Sequence, residues 1–217
     1  MLQFITNAPD KDSVIMQVQQ VLAGGCKWIQ LRMKNAGHNE IAETAKALKP
    51  MCAEQEAIFV IDDHVDICKE LALDGVHLGK NDMDVKEARE LLGEECIIGA
   101  TANTLEDVLS HSPVYVDYIG LGPFKFTTTK QNLSPIIGLD GYRNIATVAS
   151  STEKNLPLVA IGGIEESDID AIMATGVDGI AVSGALINAN DTTNATKQMI
   201  EKLDSILNQR LSQKGLE

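Results

Sequence analysis

The chain has 217 residues, 44% of them apolar and 23% charged, and its 18 basic and 31 acidic side chains leave a net charge of −13. These are the proportions of an ordinary globular protein, and they exclude a disordered chain, a collagen-like repeat and a coiled coil. No run of 18 apolar residues occurs, so no membrane-spanning helix is expected, and the acidic balance argues against nucleic acid as a bulk partner while leaving room for small anions held by local positive charge.

The first residues, Met1-Leu2-Gln3-Phe4-Ile5-Thr6-Asn7, carry no basic or apolar targeting region and read as the opening strand of a mature cytoplasmic protein. Short runs rich in Val and Ile then alternate with helical patterns. The runs are Gln3–Asn7, Lys27–Arg32, Ala57–Asp62, Gly75–Gly79, Cys96–Thr101, Asp117–Gly122, Leu158–Gly162 and Gly179–Gly184. Each has the continuous apolar character of a buried parallel strand and ends in Gly or a polar residue. Between them, Asp10 to Leu22 places Val14, Val18, Val21 and Leu22 on one helical face. Asp84 to Leu92 does the same with Val85, Ala88, Leu91 and Leu92. Thr104, followed by Asp107, marks a helix start, and the last helix runs from about Thr192 to Leu211.

Eight strands recurring about every 25 residues predict a (β/α)8 barrel, read as one domain over residues 1–217. An open doubly wound sheet is the alternative, but Asn7-Ala8-Pro9-Asp10 after the first strand lacks the glycines that a dinucleotide-binding turn requires. Residues 123–139 form one irregular connection. Its hydroxyls and two lysines suit a flap that closes over an oxyanion. The four cysteines, Cys26, Cys52, Cys68 and Cys96, have neither zinc spacing nor a disulfide pattern and read as ordinary thiols.

In a barrel of this kind catalytic groups sit at the C-terminal strand ends, so polar residues there are informative. On the second strand Gln30 and Arg32 alternate with Ile29 and Leu31. With the aliphatic pair facing the helices, Gln30 and Arg32 point into the barrel mouth and Lys34 continues the series. Arg32 as a buried ion-pair partner is the other reading. The third strand ends in Asp62-Asp63, and the fourth is followed by Lys80-Asn81-Asp82. Acidic groups on adjacent strand ends suit a shared Mg²⁺, although Asp after a strand also caps helices. The seventh and eighth strands end in Gly162-Gly163 and Val182-Ser183-Gly184. Loops of this type hold phosphate in this fold, or simply turn tightly. Arg32, Lys34, Lys80, Lys125 and Lys130 all fall just beyond a strand end and are expected to converge on a multiply charged anion. His77 lies mid-strand, where a satisfied core role is expected; His38, His64 and His111 read as solvated.

Several of these segments, in order, resemble the thiamine phosphate synthase family: Gln30-Leu-Arg-Met-Lys34, Ile61-Asp-Asp63, Asp74-Gly-Val-His-Leu-Gly79 with Asp82, Ile98-Gly-Ala-Thr101, Tyr118-Ile-Gly-Leu-Gly-Pro123, Thr127-Thr-Thr-Lys130, Ala160-Ile-Gly-Gly-Ile164 and Val182-Ser183. The resemblance implies a (β/α)8 transferase of thiamine biosynthesis. Its small-molecule substrates would be hydroxymethylpyrimidine diphosphate and hydroxyethylthiazole phosphate, or the carboxylated thiazole. It would release pyrophosphate with Mg²⁺ as cofactor. By the same resemblance Gln30, Arg32 and Lys34 contact the pyrimidine diphosphate, with Asp62 beside them. Asp63 and Asp82 hold the metal, Thr101 touches the pyrimidine or diphosphate, and Lys130 meets a phosphoryl oxygen. Thr127 and Thr129 meet the thiazole phosphate, whose phosphate sits at Gly162, Gly163, Val182 and Ser183. Arg32, Lys34 and Lys130 are the catalytic set.

The chain departs from the family where Asp62 replaces a usual Asn, and Lys80, in place of Gln, is expected to offset that charge. Met33 replaces an acidic residue, Asn103 replaces a frequent His, and Phe124-Lys-Phe126 is unusual for the flap. Two other functions stay open on the same barrel: a thiazole tautomerase-like isomerase and a non-catalytic phosphate-ligand binder.

Overall fold

In the computed structural model, which describes residues 1–126, 134–152 and 156–213, eight parallel strands close into a barrel in chain order. They are β1 (Leu2–Ile5), β2 (Trp28–Leu31), β3 (Ile58–Asp62), β4 (Gly75–Leu78), β5 (Ile97–Ala102), β6 (Tyr118–Leu121), β7 (Leu158–Ile161) and β8 (Gly179–Val182). The ring closes where Leu2, Gln3 and Phe4 of β1 pair with Ile180, Ala181 and Val182 of β8. The helices between and after them are α1 (Lys11–Ala23), α2 (His38–Glu54), α3 (Val65–Leu71), α4 (Val85–Leu92), α5 (Leu105–Ser110), α6 (Gly138–Ser150), α7 (Ile169–Met173), α8 (Gly184–Ile187) and α9 (Thr192–Gln213). Among the described residues no helix is long and apolar enough to cross a membrane.

Strand alternation divides the apolar side chains into two sets. Phe4, Ile29, Leu31, Phe59, Ile61, Leu78, Ile98 and Ile119 face outward and join the helices in the larger core. Ile5, Trp28, Val60, Tyr118, Val159 and Ala181 fill the barrel itself. Trp28 and Tyr118 meet edge to face there at 4.7 Å, the geometry aromatic quadrupoles prefer. Glycine makes that filling possible: a Cβ at Gly99 would overlap the Tyr118 ring, and one at Gly120 would lie 2.8 Å from His77 Cε1.

Helix starts follow local capping chemistry. Asp10 accepts from Ser13 N at 2.9 Å and Asp84 from Lys86 N at 2.9 Å, so both residues cap helices that begin one position later. Thr104 and Asp107 form a reciprocal capping box. On α4 only Ala88 is fully buried, and Leu91, predicted to face the core, is 41% exposed because it lines an open surface pocket with Leu92 and Cys96. The irregular connection is shorter than predicted, since α6 begins at Gly138, and Ile137 N donates to Pro123 O at 2.9 Å, tying its two ends together.

Candidate active site at the barrel mouth

The C-terminal strand ends bring the predicted polar residues to one rim. Gln30 (β2) is buried and donates from Nε2 to Asp62 Oδ1 at 2.6 Å. Arg32 Nε lies 3.1 Å from Asp62 Oδ2, with both side chains largely covered. The carboxylate that departs from the family pattern is thus charge-paired by Arg32, just beyond β2, and hydrogen-bonded by Gln30 on β2. Lys80 does not do this: its Nζ pairs with Asp107 of α5 at 2.7 and 2.8 Å, a carboxylate within reach on the neighbouring unit. Lys125 likewise pairs with Asp168 at 2.6 Å. The expected convergence of five cations therefore needs correcting. Arg32, Lys80 and Lys125 each have a carboxylate partner, while Lys34 is exposed with no ion pair among the described residues. Thr127, Thr129 and Lys130 lie outside the described residues.

Asp63 follows β3 with φ of +66°, a left-handed conformation that Asp tolerates better than most residues. Its N donates to His77 O at 2.9 Å, which fixes the turn against β4. In that turn its carboxyl group comes into hydrogen-bond contact with Asp82, whose Oδ2 also accepts from Gly79 N at 2.7 Å. Loss of hydration, the Asp62 charge and the Asp82 contact together raise the Asp63 carboxyl to about 8, against the opposing pull of Arg32. Two carboxyl groups in contact must share a proton or a cation. An all-oxygen pair opening onto a substrate mouth is the donor set Mg²⁺ takes, so these residues fit that ion.

Thr101 (β5) stands over a buried polar relay that the sequence did not reveal. Its Oγ1 is 3.0 Å from His77 Nε2; His77 Nδ1 is 3.0 Å from the Tyr118 hydroxyl, and Gln3 Nε2 donates to that hydroxyl at 3.2 Å. His77 is therefore satisfied, as expected, but it also orients a residue of the mouth. The available signal was Gln3, a polar residue on the inward face of β1. Burial pushes the Tyr118 hydroxyl above its ordinary range, so it stays protonated. Asn103, where the family often has His, donates from Nδ2 to Gly122 O at 2.6 Å and braces the end of β6.

On the opposite side of the mouth Gly162 and Gly163 have φ of +99° and +68°. A Cβ at Gly162 would lie 2.9 Å from Pro123 Cα, and one at Gly163 2.8 Å from Phe126 O. These glycines thus let the β7 loop back directly against the β6 loop. Val182 is buried, and Ser183 Oγ is a buried hydroxyl with no hydrogen-bond partner among the described residues, beside the start of α8. The four cysteines are free thiols, with Cys68 and Cys96 sulfurs 3.7 Å apart.

The family model for thiamine monophosphate synthase matches residues 2–186. The chain belongs to the thiamine monophosphate synthase family. It is 53% identical over 199 residues to the thiamine-phosphate synthase of Bacteroides fragilis, covering 92% of this chain and 98% of that one. It is 37% identical over 193 residues to the thiamine-phosphate synthase of Pyrococcus furiosus, covering 89% and 90%. Among solved structures, the thiamine phosphate pyrophosphorylase of Pyrococcus furiosus superposes with a TM-score of 0.81 at 35% identity, covering 95% of this chain and 96% of that one. Orotidine 5'-phosphate decarboxylase from Pyrococcus horikoshii, with a TM-score of 0.67 and 11% identity, shares the fold alone. This membership favours the synthase over an isomerase or a non-catalytic binder on the same barrel.

Proposed function

We propose that the chain condenses 4-amino-2-methyl-5-hydroxymethylpyrimidine diphosphate with hydroxyethylthiazole phosphate to give thiamine phosphate and pyrophosphate, by Mg²⁺-assisted dissociative substitution. The observation that carries the reading is the contact between Asp63 and Asp82 beside Arg32 and Lys34 on one rim, in a chain 53% identical to a thiamine-phosphate synthase. In the reaction the methylene C–O bond breaks and its electron pair leaves with the diphosphate. The thiazole nitrogen then uses its lone pair to form the new C–N bond. No proton changes place, which suits a mouth where His77 is committed to Tyr118 and Thr101.

Asp63 and Asp82 would hold Mg²⁺, which when bound supplies positive charge to the leaving diphosphate. Lys34, with no ion pair among the described residues, provides a cation for the same charge, and Arg32, held by Asp62, presents the far edge of its guanidinium. Lys130 is assigned a phosphoryl contact by the resemblance of the Thr127–Lys130 segment. Gln30 and Thr101 bound the pyrimidine pocket, with Thr101 oriented from below by His77. Ser183 Oγ, buried and without a partner among the described residues, together with the Gly162–Gly163 turn, would receive the thiazole phosphate.

Purified protein mixed with Mg²⁺ and both substrates should release pyrophosphate stoichiometrically with thiamine phosphate. Asp82→Ala should lower turnover at least a hundredfold. Absence of pyrophosphate from the unmodified chain, with the carboxylated thiazole phosphate isomerised instead when it is supplied alone without metal, would establish the tautomerase reading.

A further inference from the structure

Apart from the residues assigned to the mouth, three side chains meet at the starts of α2 and α3. His38 opens α2, four residues beyond Lys34; His64 follows Asp63, and Asp66 lies in the first turn of α3. His38 Nε2 is 2.5 Å from Asp66 Oδ2, and the His38 and His64 rings meet edge to face with centroids 5.7 Å apart. One ligand atom from each of the three residues lies within 4.8 Å of the other two. Among the described residues this is the one group of three His, Cys, Asp or Glu side chains so placed. It uses two of the four histidines in the chain.

We propose that His38, His64 and Asp66 form a second metal site, for a borderline dication such as Zn²⁺ or Co²⁺, distinct from the carboxylate pair at the mouth. Two imidazole nitrogens and one carboxylate oxygen are the donors that select such ions, whereas Mg²⁺ prefers oxygen alone. Bonds of about 2.0–2.1 Å in tetrahedral array place ligand atoms roughly 3.3 Å apart. The present spacing reaches that with small rotations of surface side chains. The His38 and Asp66 side chains are 50% and 65% exposed, so the fourth position opens to water. A bound ion would tie the start of α2, which follows the loop bearing Arg32 and Lys34, to the turn after β3 that bears Asp63. The inference rests on this geometry and not on the reaction proposed above.

The test uses the full chain stripped with a chelator and then equilibrated with excess Mg²⁺, which occupies the mouth carboxylates. Titration with Zn²⁺ by calorimetry should give one equivalent. Co²⁺ should give visible ligand-field bands of a four- or five-coordinate ion. His38→Ala and His64→Ala should each weaken Zn²⁺ binding at least tenfold and abolish the Co²⁺ bands, and His38→Gln should behave like His38→Ala. Asp82→Ala should leave Zn²⁺ binding within about threefold. Zn²⁺ binding that survives His38→Ala and disappears in Asp82→Ala would overturn the proposal, as would a Mg²⁺-equilibrated chain that takes up no Zn²⁺.

Discussion

Asp62→Asn probes how the mouth manages charge. The substitution keeps the shape of the side chain and removes one negative charge 3.1 Å from Arg32 Nε and 2.6 Å from Gln30 Nε2. A phosphoryl oxygen seated on the far edge of the Arg32 guanidinium would lie about 6 Å from that carboxylate, where an effective dielectric of about 20 gives roughly 3 kcal/mol of gross repulsion per unit charge. Water and salt in the open mouth screen this to about 1 kcal/mol, or about fivefold in an equilibrium. The amide should therefore lower KM for the pyrimidine diphosphate about fivefold, with kcat within twofold of the parent. The assay is steady-state pyrophosphate release at varied diphosphate concentration, run at low and high ionic strength, and the gain should shrink at high salt. A KM that rises would mean that Asp62 serves to hold Arg32 in place and that its charge costs the enzyme nothing, which would refute the reasoning.

His77→Leu leaves the Thr101 hydroxyl without its His77 partner at the mouth and the buried Tyr118 hydroxyl with Gln3. It should cost about 2 kcal/mol in urea unfolding, and a loss under 0.5 kcal/mol would contradict the relay. Gly163→Ala forces a side chain into φ of +68° and against Phe126 O. It should cost about 1–2 kcal/mol of stability and raise KM for thiazole phosphate several-fold; an unchanged KM would separate this turn from phosphate binding. The S–H of Cys68 and the charge of Arg89 hold Cys96 below the usual thiol range despite lost hydration, whereas burial pushes Cys26 to about 11 and Cys52 to about 12. Because a lowered pKa yields thiolate at lower pH, iodoacetamide at pH 8 should label Cys96 first, and Cys68→Ala should slow that labelling. Peptide mapping that found Cys26 or Cys52 labelled ahead of Cys96 would count against this ordering.

Much of the architecture was legible one residue at a time. Buried strands announce themselves by short Val- and Ile-rich runs, and their spacing alone implies a repeated βα unit. All eight predicted runs coincide with observed strands to within two residues at each end. The inward set on β2 was readable as well, because strand period two depends only on position: Gln30 is buried in the barrel while Ile29 and Leu31 join the outer core. Which charge meets which was settled by the packing of neighbouring βα units. Arg32 reaches Asp62, Lys80 reaches Asp107, Lys125 reaches Asp168, and His38 reaches Asp66 across 28 residues. Side chains of similar reach and charge compete for these partners. The choice follows from loop direction and strand neighbours, quantities that exist only once adjacent strands have paired.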